Sequence, residues 1–192
     1  ATNGGVMASI EEAWSTNPVS YLQMRLDGPK SWSNKVDLPL SNQKYLKSFL
    51  LSKSEAFGSD HPLFRWNRTL DASQISKQLN QAQKVSSSFY PKKIKTISRG
   101  TSGRVTSLKI EGNIGSAIFL KVDEIRRVLK QLPSTLFVVK EIKEGKWLFS
   151  GGGFGHGAGM SQSGAIELAK NGWTTKQILS HYYPKTKYGF LP

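Results

Sequence analysis

The stretch W-L-F-S-G-G-G-F-G-H-G-A-G-M-S-Q-S-G-A-I-E-L-A-K-N-G, Trp147 to Gly172, decides how the rest of the chain is read. The apolar run Trp147 to Phe149 reads as a strand. It feeds a loop with six glycines between Gly151 and Gly159. Glycine lacks Cβ and is costly to order, so this density calls for unusual dihedrals or for a ligand lying close to the main chain. Ser161 to Asn171 then reads as a helix, with Ala165, Leu168 and Ala169 on one face at i, i+3, i+4 spacing. Asn171-Gly172 supplies a stop. A second helix starts at Thr174, whose spacing to Gln177 is that of a capping box, runs to about His181 and is ended by Pro184.

A glycine loop between a strand and a helix is also the form of a phosphate cradle. Here the P-loop Lys-Ser/Thr pair is absent after the last glycine, and G-F-G-H-G-A-G fits the dinucleotide spacing poorly. What the loop does carry is one imidazole, His156, left sterically open by its glycine neighbours, with Ser161 and Gln162 at the following helix start. Two readings of His156 stand side by side: a ligand-facing group suited to proton transfer, or a ring that only hydrogen-bonds its own loop.

The chain has 192 residues, 38 % of them hydrophobic, which suits one domain with a real core. It has no apolar run long enough for a transmembrane helix. It has no cysteine, which excludes disulfides, thiol catalysis and Cys-ligated zinc. The three histidines, His61, His156 and His181, are too far apart in sequence to suggest a ligand cluster. No metal or cofactor is expected. The formal net charge of +14 points to polyanionic surroundings, nucleic acid or an anionic cell wall. No familiar nucleic-acid module appears, and the basic residues are scattered.

Upstream, Ala1-Thr2-Asn3-Gly4-Gly5 opens as a small polar turn. Ile10 to Trp14, with Tyr21 and Leu22, reads as apolar anchors in a loop-rich segment. Trp32 reads as a partly buried core residue, with a sugar-stacking platform as the other reading. Gln43 to Ser52 has a helical stripe of Tyr45, Leu46, Phe49 and Leu50. Leu63 to Leu70 reads as a strand, followed at Asp71 by a capping box and a helix with Ile75 and Leu79 inward. Gln81 to Ser88 reads as a linker. Ile94 to Ile97 and Val105 to Ile110 form a hairpin about a turn that exposes Arg99, Ser102 and Arg104. Ile114 to Lys121 reads as a strand and Val122 to Leu132 as an amphipathic helix. Phe137 to Ile142 and Lys146 to Phe149 make a hairpin about Glu144-Gly145. Strands and helices intersperse without a regular βαβ beat, so the fold class expected is α+β with a mostly antiparallel sheet.

The ordered motifs G-x-G-H-G-x-G-M-S-Q-x-G-A, A-x-x-G-W, I-L and Y-Y-P-x-T closely resemble the C-terminal part of the stage II sporulation protein D (SpoIID/LytB-like) family. That family comprises peptidoglycan lytic transglycosylases and amidase enhancers. Three further segments also resemble it: the opening A-T-N-G-G, the unit R-W-x-x-T-L, and S-R-G-T-S-G-R-V-T-S-L-K-I-E-G. The resemblance implies that residues 1–192 form the C-terminal major part of such a domain, its N-terminal segment absent. It implies a groove contacting peptidoglycan glycan strands, with His156 and Gln162 as catalytic-group candidates. Thr2, Asn3, Gly4, Gly5, Arg65, Trp66, Gly155, Gly157 and Ser161 are the implied substrate-binding residues. Some relatives carry a metal-binding Cys where Asn3 stands, which sets this chain apart from them. An extracytoplasmic location follows, with a wall amidase or the missing segment as further partners and no nucleic acid.

Lytic cleavage needs a carboxylic acid of raised pKa as proton donor. In the family that Glu lies upstream of the S-T-x-G-G stretch, outside this sequence. Glu11 and Glu12 are near the groove in sequence only, and Glu167 falls on the expected solvent face of its helix. Two readings of the resemblance follow: glycan-strand cleavage of the lytic transglycosylase type, with the acid on another segment, or a non-catalytic peptidoglycan-binding module or amidase enhancer.

Overall fold

A computed structural model of the chain describes every residue except 15, 53–54, 114–116, 188 and 190–192; of residues 117 and 123 only the backbone is described. In chain order the elements are β1 (Val6–Met7), α1 (Ile10–Trp14), β2 (Arg25–Leu26), α2 (Lys30–Ser33), α3 (Gln43–Leu51), β3 (Arg65–Asp71) and α4 (Ala72–Gln81). They continue with β4 (Pro91–Arg99), β5 (Val105–Gly112), β6 (Ala117–Lys121), α5 (Val122–Val128), β7 (Phe137–Lys143), β8 (Lys146–Gly152), α6 (Gln162–Lys170) and α7 (Thr175–Tyr182). The strands form three antiparallel sheets, β1-β2, β3-β8-β7 and β4-β5-β6, so the fold is α+β.

The two three-stranded sheets share the main core. Trp66, Leu70, Phe137, Trp147 and Phe149 from one meet Leu108, Ile110 and Leu120 from the other, closed by Ile75 and Leu79 of α4 and Ile125 of α5. Each such side chain contributes about 1.5–3 kcal/mol when fully withdrawn from water. Strand β8 is central in its sheet, with Trp147 opposite Leu70 and Glu141. It therefore fixes the start of the glycine loop from both sides.

The capping signals act where the sequence places them. Asp71 accepts from the Gln74 amide, Ser161 from the Gly164 amide and Thr174 from the Gln177 amide. Elsewhere the structure departs from expectation. Ile10–Trp14 is a five-residue helix, not a loop. Strand β8 runs on through Gly152, so the first two glycines of the loop belong to a strand. Strands β4 and β5 extend well beyond the expected hairpin core. Helix α5 ends at Val128, because Leu129 leaves helical geometry (ψ 72°). Leu129 and Leu132 are then buried from a turn closed by the Leu132 amide on the Leu129 carbonyl. The expected strand from Ile114 begins outside the described residues; its described part is β6.

The N-terminal segment is the seam of the molecule. Val6, Met7 and Ala8 enter three different apolar clusters: around Trp32 and Phe49, around Leu168 and Tyr182, and against Ala13 and Ala158.

Candidate functional site

The glycine loop and the chain start come together. The Thr2 amide donates to the Phe154 carbonyl (3.2 Å) and the Phe154 amide to the Thr2 carbonyl (2.7 Å). The Ala8 amide donates to the Gly157 carbonyl at 2.9 Å. Residues 2–8 are thus laced to residues 154–158 at both ends. At the crossing, a Cβ on Gly4 would lie 2.7 Å from the Gly153 nitrogen, with φ +72°, so only glycine fits.

Behind the loop lies a layer of buried polar groups. Trp66 Nε1 donates to the Gly153 carbonyl (2.9 Å) and Ser134 Oγ to the Gly152 carbonyl (2.7 Å). Arg65 donates to the carbonyls of Gly4 (2.8 Å) and Phe49 (3.1 Å) and stacks on the Phe49 and Phe64 rings. Arg104, fully buried, donates to the carbonyls of Asn3 (2.9 Å) and Val6 (3.1 Å). Burial pushes its pKa down to about 10, opposed by the charge of Glu12, and it stays protonated at neutral pH. Its guanidinium occupies the space that a Cβ on Gly157 would need, at 2.0 Å. The carboxylate of Glu12 accepts from Thr101 Oγ1 (2.8 Å), the Ser102 amide (3.2 Å) and Ser102 Oγ.

This layer corrects several sequence expectations. Trp66 is 5 % exposed and belongs to the core, and Arg65 is spent on carbonyls and rings, so neither is free to meet a glycan in the loop cleft. Asn3 is buried: its Nδ2 donates to Asp27 (2.6 Å) and its Oδ1 accepts from the Gly5 amide (2.9 Å). Gly4 and Gly5 are buried turn residues. Ser161, at 3 % exposure, serves as the helix cap. The turn after β4 does not expose its polar residues, since Ser102 and Arg104 are inaccessible. Glu167 does not face solvent freely; it accepts from the Gly58 amide at 2.6 Å, while Ala169, expected on the inward stripe, is exposed.

What the loop presents outward is smaller and mixed. Phe154 (43 % exposed), Met160 (40 %) and Trp14 (47 %) supply apolar surface. The His156 ring lies against Trp14, centroids 4.3 Å apart and tilted by 42°. Its Nδ1 accepts from the Ala158 amide at 3.2 Å, which leaves the proton on Nε2. Burial first, then the charges of Arg126 and Arg104, hold its pKa below the ordinary 6.5. His156 is therefore a neutral donor, through Nε2, at neutral pH. Gln162 is exposed, and its Oε1 accepts from the Ala1 nitrogen at 2.6 Å. Thr2, like Asn3 and Ser161, is buried and not the open substrate contact expected of it. Together with Gly155, His156, Gly157 and Gln162, these three residues line one open cleft of about 180 Å³. That is below the roughly 300 Å³ of a typical enclosed small-molecule site, and suits one part of a longer ligand crossing the surface. No carboxylate is among the lining residues. Among the described residues no group of three His, Asp or Glu is placed to hold a metal ion.

Residues missed by the sequence reading tie the loop to the C-terminal helices. Asp27 is inaccessible and also accepts from Tyr182 OH (3.1 Å), with His181 Nε2 at 2.8 Å. Burial and the Asp27 charge push the Tyr182 phenol far above its ordinary range. Tyr183 OH accepts from the Met160 amide at 3.3 Å. The two adjacent tyrosines were the available signal: buried Tyr seeks a partner for its hydroxyl.

Residues 8–159 match the family described as a domain of unknown function, DUF8618, and the chain belongs to that family. It is also similar to the amidase enhancer of Bacillus subtilis (strain 168), 29 % identical over 212 aligned residues. That alignment covers 97 % of this chain and 28 % of the relative, so the chain spans less than a third of that protein's length. No helix among the described residues is long and apolar enough to cross a membrane.

Proposed function

We propose that this chain is a peptidoglycan-contacting module of the amidase-enhancer kind, acting in the cell envelope outside the cytoplasm. The observation that carries the reading is the outward side of the loop: an Nε2–H donor on His156 beside Trp14, Phe154 and Met160, with no carboxylate in the cleft wall. Apolar rings suit the C–H faces of pyranose rings, and a neutral imidazole N–H suits a hydroxyl or an N-acetyl carbonyl. Such a surface binds and orients. Glycan cleavage would need a protonated carboxyl within hydrogen-bond reach of the glycosidic oxygen. The buried carboxylates beside this region are committed, Glu12 to Thr101 and Ser102 and Asp27 to Asn3 and Tyr182.

Similarity to an amidase enhancer over nearly the whole chain supports the same reading. The motif resemblance to the stage II sporulation protein D family supports a lytic transglycosylase reading only with an acid supplied from outside this chain. Under the first reading the partners are glycan strands and a wall amidase, with Thr2, Gly155, Gly157 and Gln162 shaping the cleft around His156.

The test adds the protein to purified sacculi with a wall amidase and follows solubilisation, alone and together. The expected result is sedimentation with sacculi and a faster amidase reaction, with the rate gain lost and sedimentation weakened in His156→Ala. Release of anhydro-muropeptides by the protein alone would replace this reading with the lytic one. Neither sedimentation nor any change in amidase rate would end it.

A further inference from the structure

The second sheet has two faces, and only one is used by the core. Register places Ile94, Ile110 and Ile118 across one row and Thr96, Leu108 and Leu120 across another, all turned inward. Side chains alternate along strands. The opposite face therefore carries the row Lys95, Lys109, Phe119 and, beyond it, Lys93 beside Glu111. At the other end Lys121 pairs with Ser107. The rows are about 6.8 Å apart and the strands about 4.8 Å apart.

This face is strongly cationic and open. Lys93, Lys95 and Lys121 are exposed, and Phe119 is 56 % exposed with the Lys109 ammonium 5.8 Å from its ring. Among the described residues its carboxylate is Glu111, shared between Lys109 (2.9 Å) and Lys95 (3.1 Å), whose hydrogen bonds hold its pKa below the ordinary carboxylate value. Lys93 and Lys121 have no ion pair among the described residues. Like charges so close repel one another, and nothing in the core requires them. A repeating polyanion laid along the strands would relieve that repulsion, one charge per row, by releasing its counterions. The Lys121 end is the end at which β4 and β5 turn over Arg104, directly behind the glycine loop.

We propose that the outward face of β4-β5-β6 binds a phosphodiester-linked anionic polymer of the cell wall, holding the glycine-loop cleft against the wall surface. The choice of a wall polymer rests on the cell-envelope reading above; the cationic face itself does not.

The test measures co-sedimentation with sacculi that carry phosphodiester polymers and with the same sacculi stripped of them by hydrofluoric acid. The wild type is expected to bind intact sacculi at least tenfold more tightly than stripped ones. A variant with Lys93→Gln, Lys95→Gln and Lys121→Gln should lose that difference. Its log–log salt slope on intact sacculi should fall by about 2, roughly 0.7 for each contact to a flexible strand. Glu111→Gln should bind intact sacculi severalfold more tightly, a gain that misfolding cannot imitate. His156→Ala should lower binding to stripped sacculi while keeping the intact-to-stripped ratio, which separates failure of the loop reading from failure of this one. Equal wild-type binding to both preparations, unchanged binding by the triple variant, or displacement by duplex DNA at lower phosphate concentration than by soluble poly(glycerol phosphate) would each overturn the proposal.

Discussion

Two glycine-rich turns, residues 99–104 and 153–160, look alike in sequence and do opposite work. In the first, the polar side chains turn inward. Ser102 and Arg104 are inaccessible, held by Glu12 and by the Asn3 and Val6 carbonyls. In the second, the main chain is pinned by partners from other segments, while Phe154, His156 and Met160 turn out. The first turn is a support and the second a display. The Arg104 guanidinium joins them, because it fills the space under Gly157 that any side chain there would claim. A glycine count alone does not separate the two roles; the direction of the polar side chains does.

Removing the support does the most damage. Arg104→Ala leaves two buried carbonyls without donors, at about 1–3 kcal/mol each, and opens a cavity besides. We expect a loss of about 3 kcal/mol or more in urea unfolding, together with loss of sacculus binding. A loss under about 1 kcal/mol would mean that the turn is not what carries the loop. Gly157→Ala acts on the same contact from the loop side. It forces a Cβ toward the guanidinium at φ +83°, where an L residue is strained by about 1–2 kcal/mol before any clash. A destabilisation of about 2 kcal/mol is expected, with weaker binding at temperatures where the variant is still folded. Unaltered binding by folded Gly157→Ala would detach the loop's shape from its function.

These roles explain what was legible in the sequence. Local chemistry was: Asp71 and Thr174 announce their capping boxes, and the stripe of Leu46 and Phe49 announces α3. The cleft's membership was legible in part, since Thr2, His156 and Gln162 do meet. Helix α1 was not legible, because five residues show no period; it exists where Ala13 packs on Ala8 and Ala158. Burial of polar residues was not legible either. Glu12 finds Ser102 ninety positions away, Asn3 finds Asp27, and Glu167 finds the Gly58 amide, contacts that only tertiary folding creates. Trp66 shows the limit from the other side. An exposed sugar platform and a core indole have the same letter, and the register of β3 against Gly151 decides for the core.

The smallest effect on stability, and the sharpest on the display, belongs to His156. The folded ring titrates below its ordinary 6.5, from burial first and then from Arg126 and Arg104. Between the folded and unfolded pKa values the unfolded chain binds the extra proton, so this group's contribution to stability is complete above about pH 6.5 and is lost as pH falls through the folded value. Protonation also takes the Nδ1 lone pair that accepts from Ala158, so the loop loses an internal bond as it gains a charge. Binding to sacculi should therefore be flat from pH 7 to 9 and decline on the acid side, below 6.5. His156→Gln keeps a donor without a titrating ring. It should stay within about 1 kcal/mol of wild type in stability, as exposed substitutions usually do, and its binding should not show that acid decline. If wild type and His156→Gln decline together as pH falls, the proton is acting elsewhere, and the imidazole is a spectator that the loop merely carries.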